Sequence, residues 1–352
     1  MPNQKAILGS MFGTAVGDAL GLPYEGLSKR RAPRLLGPPD RYRFLPRTGM
    51  VSDDTEHTCM VAEALILAGD DSDRFGKELA RRFRWWLASL PAGIGKATAI
   101  SIFKLWLGFP TDKSGVFSAG NGPAMRSAIL GAAVEDLSLL RSLVKVSSQM
   151  THRDPKAEYG AWAVALAARL ASTSETIDSQ NYLENLQQTL SDDPAEEFLE
   201  LVGRAVASVE RGESTPDFGI SLGLEKGVSG YTYHTVPMAL HAWLSTPDDY
   251  QEAVQQIILC GGDADSTAAI VGGIVGCSVG KEGIPEAWVS GLREWPRSTS
   301  WMQTLGETLY QARSSKESRT PPRYLKIGVL PRNLFFLAVV LGHGFRRLLP
   351  PY

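Results

Sequence analysis

Cysteine is scarce in this chain of 352 residues: Cys59, Cys260 and Cys277 make an odd count, with no CxxC spacing. That argues against a disulfide framework or a structural zinc site and fits a reducing, cytoplasmic setting. An excess of one charge is also missing. With 36 basic against 38 acidic residues, no electrostatic footprint for nucleic acid is expected. The local basic cluster Lys29, Arg30, Arg31 and Arg34 is broken up by prolines and reads as a solvated loop. The opening MPNQKAILGS lacks the basic-then-apolar layout of a secretory signal. The longest unbroken apolar run, Leu334 to Leu341, falls short of the roughly 20 residues that span a bilayer, so no transmembrane segment is expected. Sequence repeats are absent as well, which disfavours a solenoid.

What is present is helical periodicity. Apolar residues recur at i, i+3 and i+4 in Met60–Ala68, Ala124–Val134, Ala157–Leu170, Val236–Leu244, Ala253–Leu259 and Thr267–Val279. Alternating β-branched runs are few. The breaks near 26–50, 91–96, 108–123, 171–194 and 212–231 look like loops within one all-α domain. The expected organisation is a single compact multi-helix domain over 1–310. A polar linker and a C-terminal apolar helix follow over 311–352. The simplest role for that helix is docking on the domain. A membrane-surface or partner-binding role is the second reading, because Arg346 and Arg347 stand near Phe335, Phe336 and Leu341.

In the first helix Gly9, Gly13, Gly17 and Gly21 recur every four residues and share one face. Each interior glycine costs about 1 kcal/mol of helix propensity relative to alanine. The row therefore marks close approach of another helix backbone or of a ligand. Gly272, Gly273 and Gly276 repeat the theme.

Two acidic clusters carry the chemistry. Val51-Ser52-Asp53-Asp54-Thr55-Glu56 opens one apolar-periodic helix, and Gly261-Gly262-Asp263-Ala264-Asp265-Ser266-Thr267 opens another. Helix capping would explain either cluster alone. The second precedes the almost wholly apolar AAIVGGIVGC, so its carboxylates would start a buried helix, where unpaired charge is costly. Lys and Arg are absent from 257–280. A divalent cation is the economical counter-charge, and carboxylate and hydroxyl oxygens suit Mg²⁺, Mn²⁺ or Ca²⁺ over zinc. Four carboxylates and two hydroxyls would support two ions. Glu25, just past the glycine row, fits the same pattern.

The ordered segments GDALGLPYE, SDDT, GNGPAMR, THRDP, GYTYHT and GGDADSTAA resemble the ADP-ribosylglycohydrolase family over about residues 7–295. The resemblance implies an all-α fold with a binuclear site holding two Mg²⁺ or Mn²⁺ ions. Its ligands would be Ser52, Asp53, Asp54, Asp263, Asp265 and Ser266. Ser52 and Ser266 stand where threonine is more usual, with the same hydroxyl oxygen. Glu25 and Asp53 become the candidate catalytic acid and base. Asn121, Gly122, His152, Gly230 and Tyr231 become candidate contacts to phosphate, ribose and adenine. The implied activity is hydrolysis of the glycosidic bond at C1″ of ADP-ribose on a modified protein or small conjugate. ADP-ribosyl-arginine is the leading acceptor, with O-linked acceptors (serine or O-acetyl-ADP-ribose) as the alternative. A non-catalytic, crystallin-like relative and a binuclear phosphoesterase are the rivals. His57, His234 and His241 are read as structural.

Overall fold

The computed structural model describes residues 2–315 and 319–350. The chain begins with α1 (Gln4–Gly21), α2 (Arg31–Leu36), α3 (Asp53–Ala68), α4 (Ser72–Ala88), α5 (Lys96–Trp106) and α6 (Ala128–Ala133). It continues through α7 (Leu137–Gln149), α8 (Pro155–Thr173), α9 (Ser179–Thr189), α10 (Glu196–Glu210), α11 (Thr215–Ser221) and α12 (Thr232–Ser245). It closes with α13 (Tyr250–Leu259), α14 (Ala264–Val279), α15 (Glu286–Gly291), α16 (Thr299–Ser315) and α17 (Val329–Arg346). Among the described residues β-pairing is limited to isolated bridges, so the expected all-α class holds. α16 runs through position 311, and the positions 316–318 of the expected polar linker lie outside the described residues. Three short helices, α2, α9 and α11, lie in stretches expected to be loops. Each is too short to display a sustained apolar period.

Aspartate starts many of these helices. Asp71, Asp136, Asp154, Asp178 and Asp249 each accept a backbone N–H of the following turn, which satisfies donors that the helix itself leaves unpaired.

At the centre, α1 and α14 lie against each other through their glycine rows. A Cβ on Gly9 would fall 1.9 Å from the Gly276 carbonyl oxygen, and one on Gly13 would fall 2.0 Å from that of Gly272. Gly17 meets Ala268 and Gly21 meets Ala264 in the same way, so the two helices run antiparallel. The approach leaves room for no side chain. Of the two readings of the glycine row, the close neighbour is a helix backbone. The pairing also has a positional consequence. The last turn of α1, bearing Asp18, and the Glu25 loop that follows it are fixed beside the first turn of α14. α3 packs on both.

Two helical stretches, Gln4–Tyr24 and Lys326–Arg346, are long and apolar enough to cross a membrane by length and composition. Scattered polar residues hide them from a search for unbroken apolar runs. The first is wholly buried in the domain core, whereas only 28% of the second's apolar window is buried.

Candidate functional site

The site is assembled where three chain segments end. α3 begins at Asp53 with Ser52 as its N-cap, and the Ser52 hydroxyl accepts the Asp54 N–H and donates to Asp54 Oδ2 at 3.0 Å. That turn is held from below by Asp18, a fully buried carboxylate in α1. Its Oδ2 accepts the Ser52 N–H at 2.9 Å, the Thr55 N–H at 3.2 Å and the Thr55 hydroxyl at 2.5 Å. Asp18 had no assigned role in the sequence reading. The signal was there, since it is the only charged residue in α1 beyond Lys5.

α14 begins after a diglycine whose φ angles, +71° and +82°, lie in the left-handed region open to glycine. There the backbone bonds in two directions. Gly262 accepts from the Gly26 N–H at 2.7 Å and donates to Leu27 O, while Asp263 N–H donates to Val228 O at 2.7 Å. The diglycine thereby ties the Glu25 loop to the 228–231 loop. Asp263 occupies the N-cap position of α14 but makes no capping bond; its Oδ2 accepts instead from Asn121 Nδ2 at 2.6 Å. Capping therefore accounts for part of the first acidic cluster and for none of the Asp263 carboxylate's contacts.

Glu25, Ser52, Asp53 and Asp265 line one cavity of about 140 Å³. Asp54 and Asp263 stand within electrostatic reach of the same group. Burial, and then the neighbouring carboxylates, push the acids of Asp53, Asp54 and Asp265 well above the usual range; Asp18 and Asp263 contribute to the charge felt by Asp54. Asp18 is raised to about 6, mainly by burial. Packing around Glu25, and after it the Asp263 charge, raise its pKa as well, although part of this side chain reaches solvent.

Among the described residues no ion pair to Lys or Arg involves any of these six acids. Asp18 Oδ1 and Asp54 Oδ1 are buried without a hydrogen-bond partner. Glu56, by contrast, is satisfied structurally, by Trp86 Nε1 at 2.6 Å and Arg297 at 2.9 Å. Among the described residues no three acid, His or Cys side chains already close around one ion-sized point. The donor chemistry fits hard divalent cations all the same: six carboxylates outnumber the one guanidinium that lines the cavity, that of Arg347, and two of their buried oxygens are orphaned.

The substrate-side candidates adjoin this cluster. Asn121 also donates to Thr235 Oγ1, and its N–H bonds Gly230 O at 2.9 Å. Gly120 pairs with Tyr231 across an isolated antiparallel bridge. A Cβ on Gly230 would sit 3.3 Å from Asp263 Oδ2, and Cβ atoms on Gly120 and Gly122 would press on the His152 ring at 2.9 and 3.0 Å. His152 is buried and bonds Thr151 Oγ1 at 2.9 Å; burial, and then Arg126, lower its pKa to about 3, so the ring is neutral. The Tyr231 hydroxyl accepts from Lys156 at 3.1 Å.

Arg126 is a second residue that the sequence reading passed over. Fully buried, it braces the glycine loop through Gly122 O at 2.9 Å and the His152 turn through Thr151 Oγ1 at 2.7 Å. The three histidines without an assigned role are held by structural partners. His57 packs on Phe83 and Trp86, His234 bonds Ser229, and His241 lies between Thr215 and Ser208. The far wall of the cavity comes from α17, through Phe336, Val340, His343 and Arg347. Arg347 donates to the main-chain oxygens of Glu25 at 2.6 Å and Pro23 at 3.0 Å.

Residues 2–319 match the model of the ADP-ribosylglycohydrolase family. The chain is 31% identical over 310 residues to an uncharacterized protein of Archaeoglobus fulgidus, covering 86% of this chain and 94% of that one. It is 26% identical to the ADP-ribosylhydrolase ARH3 of Gallus gallus, covering 86% and 93% of the two chains. It is 27% identical to the ADP-ribosyl-[dinitrogen reductase] glycohydrolase of Rhodospirillum rubrum, covering 81% and 89%. A solved structure titled ADP-ribosylglycohydrolase-related protein complex superposes with a TM-score of 0.65 at 27% identity, covering 88% of this chain and 98% of that one. The acids gathered at the facing ends of α1, α3 and α14 thus sit in a member of the ADP-ribosylglycohydrolase family, to which this chain belongs.

Proposed function

We propose that the chain hydrolyses the glycosidic bond at C1″ of ADP-ribose on a modified acceptor, with ADP-ribosyl-arginine as the acceptor class, in a divalent-cation-dependent reaction. One observation carries this reading: Glu25, Ser52, Asp53 and Asp265 converge on one cavity, backed by Asp54 and Asp263, and among the described residues none of these acids is ion-paired to Lys or Arg. The residues that would hold Mg²⁺ or Mn²⁺, two ions in the full reading, are Ser52, Asp53, Asp54, Asp263, Asp265 and Ser266. When bound, such ions supply Lewis acidity and lower the pKa of water.

The chain's own groups supply the rest. Asn121 and the glycines Gly122 and Gly230 let backbone and amide donors approach a diphosphate and ribose closely. Neutral His152 keeps that loop in place and offers a ring nitrogen to a sugar hydroxyl, and Tyr231 presents a ring face to adenine. Cleavage at C1″ passes through an oxocarbenium-like state that needs a proton for the leaving group and a base for water. Glu25 at the solvent-reaching edge and Asp53 within the cluster are placed for those two tasks. Glu25, the cavity carboxylate outside the cation-holding set, is the acid left to face a guanidinium leaving group, which supports arginine over a neutral hydroxyl acceptor.

The test is a product chromatogram from ADP-ribosyl-arginine and ADP-ribosyl-serine peptides, with and without Mg²⁺ or Mn²⁺. Intact ADP-ribose and unmodified arginine peptide, formed only with the cation, are expected. AMP and ribose phosphate would overturn the reading in favour of a phosphoesterase, exclusive turnover of the serine peptide would reassign the acceptor, and no turnover of either would leave a binding protein.

A further inference from the structure

Residues 320–352 lie beyond the family match, and their helix is docked on one face while a neighbouring apolar face is open. One face of α17 is docked. Arg332 donates to buried Glu294 at 2.6 Å and to Val51 O, Asn333 donates to Ser89 O at 2.8 Å, and Phe336 is buried. The neighbouring face carries Leu330, Leu334, Leu337, Leu341 and Phe345, spaced i, i+4, i+7, i+11 and i+15, and all of them are exposed. At 100° per residue these five fall within a stripe about 80° wide. Leu348 and Leu349 extend the apolar surface past the helix end. At the other end Leu330 borders a cavity of about 580 Å³, where Ile327 and Trp85, both exposed, also contribute.

The charge on this segment has one sign. From 319 to 352 there is no Asp or Glu, against six Lys and Arg, and exposed Arg323, Lys326 and Arg346 flank the stripe at both ends. An apolar stripe bordered by cations complements an interface of acyl chains and anionic headgroups. The buried Arg332–Glu294 pair and the docked face require the helix to lie in the plane of such a surface, since spanning it would strip both from the protein.

We propose that α17 is an in-plane anchor that seats the domain on an anionic lipid surface, with Leu334, Leu337, Leu341 and Phe345 inserted among the acyl chains. This rests on the tail alone and holds whichever bond the site cleaves.

Flotation of the full chain with phosphatidylcholine vesicles, with and without phosphatidylglycerol, tests it. Binding to the anionic vesicles, weakened by salt, is expected. L334E/L341E should lower the bound fraction about tenfold or more, while turnover of a soluble substrate is unchanged. R323E/K326E, which leaves the stripe intact, should remove the preference for phosphatidylglycerol. The proposal falls if the wild-type chain floats with neither vesicle, or if L334E/L341E floats as well as wild type. It also falls if the chain resists alkaline carbonate extraction, as a spanning helix would, or if light scattering shows a dimer that L334E/L341E dissociates and that binds no vesicles.

Discussion

α1 and α17 are each 18 residues long and comparably apolar, yet their surroundings are opposite. α1 is buried from Ala6 to Gly21, whereas α17 buries one face and exposes an apolar stripe on the next. Glycine makes the same contrast. In α1 every member of the row touches backbone of α14, while Gly342 and Gly344 in α17 have open space where a Cβ would stand. The two helices also meet the acid-lined cavity differently. α1 supports it from beneath through Asp18, and α17 closes it from above through Phe336, His343 and Arg347. Composition sets how apolar a helix is, but what it packs against decides whether that apolarity is core or surface.

The largest expected effect lies on the α1–α14 side. Asp53→Asn and Asp265→Asn should each lower kcat/KM by about 10²–10⁴-fold in an ADP-ribosyl-arginine assay, with far-UV circular dichroism unchanged. Full activity in either variant would remove the acid cluster from the chemistry. Next comes the contact itself. Gly13→Val places a side chain where a Cβ alone is 2.0 Å from Gly272 O, so denaturant melts should show a loss of about 3 kcal/mol or more. A well-folded variant of unchanged stability would mean that α1 and α14 are not in backbone contact.

The pH dependence of stability sharpens the contrast through two histidines. Burial lowers His241, in the core, to about 4, and lowers half-buried His343, on α17, as well. For His241 the folded value lies below the unfolded one, near 6.5, so the unfolded chain binds more protons between the two. Its contribution is complete above pH 6.5 and is lost as pH falls towards 4, by up to about 3 kcal/mol. Replacing His241 with Gln should flatten chemical melts over that window, and the same change at His343 should flatten them less. Identical pH profiles for wild type and His241→Gln would contradict the burial argument.

Divalent cations should raise the melting temperature, by about 2.7 kcal/mol of stability at a hundredfold excess over Kd, and Asp54→Asn should remove most of that gain. The smallest effect belongs to the open glycine of α17. Gly342→Ala meets nothing within 4 Å and should stabilise the chain by about 0.5–1 kcal/mol, the reverse of Gly13.

Much of the site could be read from residue order. Ser52, Asp53, Asp54, Asp263 and Asp265 stand out because hydroxyls and acids at the start of apolar helices are costly without a purpose, and Asn121 and Gly230 fall in the glycine-rich segments beside them. Asp18 and Arg126 escaped. Each is a lone charge inside an apolar stretch, and a sequence does not reveal whether such a charge faces solvent, a partner or a cluster. The short α2, α9 and α11 escaped because a helix of six, seven or eleven residues between polar turns has little period to display.

By itself the sequence determined the helical class, the faces that must be buried and the acids that need a counter-charge, because these follow from local periodicity and from the cost of isolated charge. Tertiary structure alone decided that α1 and α14 touch backbone to backbone. That contact brings Asp18 and Glu25 to the same end of the helix pair as Asp265, which is distant from both in the chain. It also decided that α17 buries the face bearing Arg332 and Phe336 and leaves the leucine stripe to solvent. Its neighbour is fixed by the Arg332–Glu294 pair, formed with a residue 38 positions away, which no local pattern in the helix encodes.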